Sequence, residues 1–269
     1  MAKAAAKVSA DQKPFCKRLL SLAGRHSVWE VWSDFITAFA LAISNAVDKA
    51  RFDEREAAYL RIMKKYDAQQ REVFPALVAD VVDALERNPE QDFLGSMYME
   101  LELGNDHTGQ FFTPYDVCRA MACLTVQGVT ERILSEGWVS LNDCACGAGA
   151  TLIAACHEIG RRLSVLGQNW QNHVLVTAQD VDASVGMMCY IQLSLIGAAG
   201  YVKIGDSLAN PMTEKDDPKN YWYTPMYFSD VWQYRRLYQR VDRLMREGMA
   251  TQGQDEFREE DENGSGNRG

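Results

Sequence analysis

Apolar residues recur at intervals of three and four over the first third of the chain, and this spacing predicts amphipathic helices. The clearest run lies within residues 14–50, where the apolar positions are Trp29, Trp32, Phe35, Ile36, Phe39, Ala40 and Ile43. Similar spacing predicts helices over residues 57–66 and 73–85, and an Asn-Pro pair ends the second of them. The pattern therefore predicts a helical N-terminal domain over residues 1–92.

After this region, short apolar runs alternate with helical stretches. Strands are predicted over residues 139–142, 174–178 and 201–204, and helices over residues 115–124, 151–166, 184–195 and 228–247. Such alternation is typical of a parallel, doubly wound sheet. An α/β domain is therefore predicted over residues 93–248, within which the aromatic segment 221–228 fits a strand or a loop. Residues 249–269 are rich in Gly, Asp, Glu and Asn and are expected to form a disordered acidic tail.

A turn of small residues follows the first predicted strand. It reads Asp143-Cys144-Ala145-Cys146-Gly147-Ala148-Gly149 and leads directly into a predicted helix. Glycines let the backbone approach a ligand closely and adopt positive φ, and a helix N-terminus offers unpaired N–H groups. The order of strand, glycine turn and helix therefore predicts a pocket for a nucleotide-like ligand at the carboxyl edge of the sheet.

Three further segments accompany this turn in a recognisable order. Gly109-Gln110-Phe111-Phe112-Thr113-Pro114 precedes it, and Gln179-Asp180-Val181-Asp182 and Gly205-Asp206-Ser207-Leu208 follow the second and third strands. Together the four segments resemble the motifs of N6-adenine DNA methyltransferases of the type I restriction-modification kind, over about residues 90–210. The resemblance implies a Rossmann-like, S-adenosylmethionine-dependent methyltransferase domain that follows a helical domain.

The resemblance also implies which residues would hold S-adenosylmethionine. Asp143 would bind the methionine amino group, Asp180 the ribose hydroxyls and Asp206 the adenine amino group. The full set matched to the cofactor site is Phe112, Thr113, Pro114, Asp143, Cys146, Gly147, Gly149, Asp180, Asp206 and Ser207. Alternatives stay open, because Asp143 could cap a helix and Asp206 could be a turn residue. Asp182 competes with Asp180 for the ribose, although helix capping is its preferred interpretation.

The family's catalytic motif, Asn-Pro-Pro followed by Phe or Tyr, does not occur here in its usual form. Thr224-Pro225-Met226-Tyr227 is the predicted catalytic segment, because it follows an apolar stretch and keeps an aromatic residue to stack on a flipped adenine. Asn210-Pro211-Met212-Thr213 is the second candidate, but it leaves no room for a preceding strand and lacks the aromatic residue. A threonine hydroxyl accepts a hydrogen bond but is shorter than an amide, so the predicted loop is degenerate.

Composition and charge limit the partners that we expect. The formal net charge of −9 at pH 7 disfavours DNA binding unless a basic face or a basic partner compensates. The segment 235–243 holds four arginines behind Trp232 and Tyr234, and it fits either a nucleic-acid contact or a solvated helix face. The seven cysteines and the scattered histidines lack metal-ligand spacing, so we expect reduced structural thiols and no metal.

Neither a membrane-spanning run nor a secretory signal is recognisable in the sequence, so we expect a cytoplasmic protein without membrane contact. Two functions fit these features. The first is an adenine-N6 DNA methyltransferase that flips an adenine and methylates its amino group, alone or with a specificity subunit or restriction component. The second is a catalytically impaired pseudo-methylase that keeps the cofactor pocket and acts as a DNA- or protein-binding, restriction-related or anti-restriction module. Its acidic composition would complement a basic partner. A methyltransferase for RNA or protein is a third interpretation.

Overall fold

The computed structural model describes residues 11–101, 103, 112–213, 216–242 and 244–245. The chain divides into two compact units, Met1–Phe228 and Ser229–Gly269. In the second unit, residues 230–242 are helical, which agrees with part of the helix predicted over residues 228–247. The acidic tail predicted over residues 249–269 lies outside the described residues. Within the described parts of the chain, no helix has the length and apolar character needed to cross a membrane.

The first unit combines helices with one small sheet. The helices are α1 (Lys13–Leu22), α2 (Val28–Val47), α3 (Phe52–Met63), α4 (Ala68–Arg71), α5 (Val73–Arg87), α6 (Phe93–Glu100), α7 (Tyr115–Thr125), α8 (Val129–Glu136), α9 (Ala150–Ser164) and α10 (Ala183–Leu195). The strands are β1 (Val139–Asp143), β2 (Val174–Asp180), β3 (Ala199–Ile204) and β4 (Tyr221–Tyr223). The mixed α/β class predicted from the sequence is therefore confirmed.

The helical run predicted over residues 14–50 is two helices rather than one. The chain leaves the helix after Leu22, and Ser27 begins α2 by accepting a hydrogen bond from the Glu30 amide at 3.1 Å. A serine at this position satisfies an amide that has no partner inside the helix, so it marks a helix start. Between the two helices the residues Gly24, Arg25, His26 and Ser27 interrupt the apolar pattern.

The sheet has the strand order β1-β2-β3-β4. The first three strands are parallel, as predicted, and each begins and ends within two residues of its predicted bounds. The fourth strand pairs antiparallel with β3, with Tyr221 opposite Lys203 and Tyr223 opposite Tyr201. The aromatic segment is therefore an edge strand that runs back towards the amino ends of the other three.

Helices α9 and α10 connect neighbouring parallel strands in the same direction, so right-handed crossovers place both on one face of the sheet. On that face the strand residues are apolar and buried, as at Val139, Val176 and Val202. On the opposite face of β1, Ser140 and Asn142 are exposed. The two crossover helices therefore cover a single face, whereas a doubly wound sheet carries helices on both.

The N-terminal helices share one core with the sheet. Buried residues from Phe15 to Trp222 form a single apolar cluster. Arg55 of α3 joins the two parts, since its guanidinium donates to the Asp48 carboxylate and to the Tyr221 carbonyl, both at 2.8 Å, and lies 4.3 Å from the Trp222 ring centre. The boundary predicted at residue 92 stays a prediction.

A buried amide connects the end of this helical region to the glycine turn. Gln192 of α10 is fully buried. Its side-chain nitrogen donates to the Asp92 carboxylate and to the Ala148 carbonyl, both at 2.8 Å, and its oxygen accepts from the Leu94 amide at 3.1 Å. Burial raises the pKa of Asp92, although hydrogen bonds from Gln192 and from the Gly95 amide act in the opposite direction. One side chain therefore holds three segments that are distant in sequence.

We expect Gln192→Leu to lower the free energy of unfolding by about 2–4 kcal/mol, because the Leu94 amide and the Ala148 carbonyl would be left buried without partners. Urea unfolding followed by circular dichroism measures the change. Gln69→Leu is the matched control, since Gln69 is exposed. Equal losses in the two variants would show that the buried amide has no special role.

Candidate functional site at the carboxyl edge of the sheet

The three parallel strands end at the same edge, and their loops are hydrogen-bonded to one another there. The Cys146 amide donates to the Gln179 carbonyl at 3.0 Å, and the Gly205 amide donates to the Asp180 carbonyl at 2.8 Å. The Gln179 side chain also donates to the Gly205 carbonyl at 3.1 Å. The segments that carry Asp143, Asp180 and Asp206 are thus brought together, which the rule for parallel sheets predicts.

The glycine turn has the backbone conformation for which glycine is suited. Gly147 has φ of 55° and Gly149 has φ of 97°, and Gly149 is the residue that begins α9. One carboxylate oxygen of Asp180 accepts from the Gly147 amide at 2.9 Å, and the other accepts from the Asp182 amide at 3.0 Å. Burial raises the pKa of Asp180 against these hydrogen bonds, with smaller contributions from the charges of Asp182 and Asp143.

Asp143 is held by its own loop. Its carboxylate accepts from the Ala145 amide at 3.1 Å and from the Thr151 hydroxyl. It does not cap α9, because Gly149 has that position. Thr151 was not among the predicted site residues, and a hydroxyl residue just inside the helix behind a glycine turn is the signal that could have identified it.

The segment 109–114 and the glycine turn, which both resemble family motifs, come into contact at Phe112. Its ring lies 3.4 Å from where a Cβ would stand on Gly147, and 5.5 Å, between ring centres, from Tyr98 of α6. Thr113 and Pro114 are exposed, and Pro114 precedes the first turn of α7. Residues 109–111 of the same motif lie outside the described residues.

The remaining predicted cofactor residues occupy different environments. Cys146 is buried beneath the turn, whereas Ser207 is half-buried and Asp206 is exposed. Asp206 accepts a hydrogen bond from the Leu208 amide at 2.8 Å. This is the contact expected of a turn residue, which was the alternative to a cofactor role for Asp206. Asp182 accepts from the Val185 amide at 3.1 Å at the start of α10, which confirms the capping interpretation for that residue.

The predicted catalytic segment does not lie at this edge. The Thr224 side chain is fully buried, and its hydroxyl donates to the Ala198 carbonyl at 2.7 Å and accepts from the Gly200 amide at 3.0 Å. Gly200 lies at the amino-terminal part of β3, about 13 Å along the strand from Ile204. Thr224 therefore lies away from the edge that carries Asp143 and Asp180, because β4 runs antiparallel to β3. That Thr224, Pro225, Met226 and Tyr227 form the catalytic loop stays a prediction.

The second candidate does lie beyond the carboxyl end of β3. The Asn210 side-chain oxygen, however, accepts from the Lys203 ammonium at 3.1 Å, and its backbone carbonyl accepts from the same group at 2.8 Å. Lys203 is fully buried and also pairs with Asp216. The polar atoms of Asn210 that could hold a substrate amino group thus already bind a buried cation.

The cysteines, the candidate metal ligands and the arginine-rich segment are the remaining predicted features. All seven cysteines are free thiols, with Cys123 and Cys144 exposed. In the part of the chain that the structure describes, no group of three or more His, Cys, Asp or Glu could hold a metal ion. In the arginine-rich helix of the second unit, Arg235 lies 5.6 Å from the ring centre of Trp232. Arg243 lies outside the described residues.

Three parallel strands with a glycine turn and carboxylates at their carboxyl edge are typical of nucleotide-binding folds. The family model described as N-6 DNA Methylase matches residues 90–258, which is more than half of the chain. The protein therefore belongs to the N-6 DNA methylase family, and its function is that of an N6-adenine DNA methyltransferase-like protein. No curated protein matches it significantly.

We expect Gly149→Ala to lower the free energy of unfolding by about 1–3 kcal/mol from backbone strain, and further from a steric clash. The added Cβ would stand 2.9 Å from the Cys189 sulfur. Gly128→Ala is the matched control, because Gly128 has φ of 75° but no atom within 4 Å of its added Cβ. Thermal and urea unfolding give the two losses. Identical losses would mean that the contact with Cys189 is unimportant.

Proposed function

We propose that the protein binds S-adenosylmethionine at the carboxyl edge of its sheet. The observation that carries the proposal is the hydrogen bond from the Gly147 amide to Asp180, since it joins the glycine turn of β1 to the acidic end of β2. The family to which the chain belongs consists of S-adenosylmethionine-dependent methyltransferases, and the same residues match its motifs. The cofactor supplies a methyl group on a positively charged sulfur.

The donor set suits this ligand chemically. Asp143, held by Thr151 and the Ala145 amide, presents a carboxylate for an ammonium group, and Asp180 presents a carboxylate for hydroxyl donors. Gly147 has positive φ, is half-buried and carries no side chain, so a ligand can lie against the backbone of the turn there. Phe112, close to Gly147, adds an apolar wall.

Asp143→Ala should weaken binding of S-adenosylmethionine at least about tenfold, because a buried charge-assisted hydrogen bond contributes roughly 1.5–3 kcal/mol. Isothermal titration calorimetry measures the dissociation constant. Asp83→Ala is the control, since Asp83 is an exposed carboxylate on α5. Unchanged affinity in Asp143→Ala would remove Asp143 from the site, and no binding by the wild type would overturn the proposal.

A second function, the catalytically impaired pseudo-methylase, is favoured by one specific observation. The hydroxyl of Thr224 is saturated inside the protein and lies at the wrong edge of the sheet. Adenine-N6 methylation needs an oriented acceptor that holds the target amino group beside the methyl donor. Thr224 is not available for that role, and the side-chain oxygen of Asn210 already accepts a hydrogen bond from Lys203. We therefore favour a cofactor-binding module that contacts DNA or a protein partner of a restriction system over methylation through Thr224–Tyr227.

Incubation with methyl-labelled S-adenosylmethionine and mixed-sequence DNA distinguishes methylation through Thr224–Tyr227 from cofactor binding without methylation. We expect the wild type to bind the cofactor, and we expect no methyl transfer to DNA that depends on Tyr227. Asp143→Ala is the negative control for cofactor-dependent label, and Tyr227→Phe controls for the ring. Label on adenine that disappears in Tyr227→Ala but persists in Tyr227→Phe would support the Thr224–Tyr227 loop as the catalytic segment.

A further inference from the structure

The helix of the second unit exposes an apolar side to solvent. Residues 230–242 and 244–245 are helical. Six apolar side chains of this helix, termed the apolar stripe, are between 40% and 74% exposed: Tyr234, Leu237, Tyr238, Val241, Leu244 and Met245. Residues three and four apart lie on the same side of a helix, so these side chains form one continuous surface.

The other side of the same helix is mostly polar, and yet it is the more buried of the two. Trp232 is 1% exposed, and Arg235, Arg236, Gln239 and Asp242 are half-buried. At about 100° per residue these five positions lie opposite the apolar stripe. An amphipathic helix normally buries its apolar side. The inverted arrangement, with a large apolar patch in solvent, is typical of a surface that another chain covers.

The spacing within the apolar stripe is that of a coiled coil. Tyr234 and Val241 are seven residues apart, as are Leu237 and Leu244, and the two pairs alternate at intervals of three and four. In a heptad abcdefg, Tyr234 and Val241 therefore occupy a, and the two leucines occupy d. Leucine at d with a β-branched residue at a favours two parallel helices, and Val241 fits that preference.

The arginines of this helix are compatible with a parallel pair of two identical helices. Arg235 and Arg236 are at b and c, which point away from the seam, and Arg240 is at g. In a parallel pair a g residue faces the e residue five positions later on the other helix, which here is Met245. The Arg240 stem can lie over Met245. An antiparallel pair would instead place the two Arg240 side chains opposite each other.

The apolar stripe is large enough for a weak but specific contact. From their exposed fractions, the six side chains offer about 500 Å² on each helix, or roughly 1,000 Å² for a pair. Specific protein interfaces begin near this size, and the smallest of them are weak. The area therefore indicates a dimer with a dissociation constant in the micromolar range.

We propose that two copies of this chain associate through their apolar stripes, which pair as parallel helices in a short coiled coil. The association gives one assembly two carboxyl-edge sites. It does not depend on cofactor binding, because the helix belongs to the second unit and the cofactor residues belong to the first.

Sedimentation equilibrium of the full chain tests the proposal over about 1–200 μM, which brackets the affinity of a small interface. The wild type should shift from the mass of one chain to twice that mass. Leu237→Glu should weaken the dimer at least about 100-fold, because each helix would place a carboxylate in the apolar seam. Leu134→Glu is the matched control, since Leu134 is an exposed leucine on α8, and it should dimerise like the wild type.

A strengthening variant protects the test against misfolding of Leu237→Glu. Val241→Ile should tighten the dimer about tenfold, because each helix would bury one more methylene group. Asp143→Ala should dimerise like the wild type, so that failure of dimerisation and failure of cofactor binding are distinguishable.

Leu244→Cys tests the orientation of the two helices. Two residues at the same d position face each other in a parallel pair, whereas an antiparallel pair places Leu244 beside Tyr234. Mild oxidation should therefore link Leu244→Cys into a disulfide dimer. Leu134→Cys is the control, and the wild type gives the background from its exposed thiols, Cys123 and Cys144.

Three results would overturn the proposal. The first is a wild type that stays a monomer at every concentration, as it would if the apolar stripe fitted only a helix of another protein. The second is a dimer that Leu237→Glu and Val241→Ile leave unchanged. The third is no more cross-linked dimer from Leu244→Cys than from Leu134→Cys.

Discussion

The buried side chain of Gln192 is the contact on which the arrangement of the protein depends. It binds Asp92 and Leu94 at the start of α6 and Ala148 in the glycine turn, and each of its polar atoms has a partner. A buried amide tolerates few alternative geometries, because an unmade hydrogen bond is costly away from water. Gln192 therefore fixes the position of the glycine turn relative to α10, which carries Gln192, and relative to the start of α6. At β4, the edge strand of the sheet, Arg55 of α3 makes a similar link by donating a hydrogen bond to the Tyr221 carbonyl.

The direction of the short strand β4 decides at which edge of the sheet the residues after it lie. Because β4 runs antiparallel to β3, the residues after Tyr223 return towards Gly200 and leave the edge where Asp143 and Asp180 lie. The proposed cofactor site and the segment that best matched the catalytic motif therefore lie at different edges of the sheet. The carboxyl edge carries the glycines and carboxylates, whereas Thr224 stabilises the β3–β4 pair.

Much of the fold and of the cofactor site could be predicted from the sequence, because the relevant signals are local. The strands before Asp143 and Asp180 are apolar runs ended by acidic residues, and Gly147 and Gly149 occupy positions that need positive φ. The capping role of Asp182 likewise follows from a short polar side chain before a helix. The contact of Phe112 with the glycine turn was implied by the family resemblance and not by any local pattern.

Pairing partners of edge strands and buried polar contacts are decided by parts of the chain that are distant in sequence. Nothing next to Thr224 indicates that its hydroxyl will meet Ala198 and Gly200, and nothing next to Gln192 indicates Asp92. The sequence by itself determined the α/β class, the positions of the parallel strands and the residues of the glycine turn, since periodicity and backbone conformation are local properties. Only the tertiary structure decided the antiparallel course of β4 and the burial of the Thr224 hydroxyl, because hydrogen bonding between strands and burial are satisfied across the whole fold.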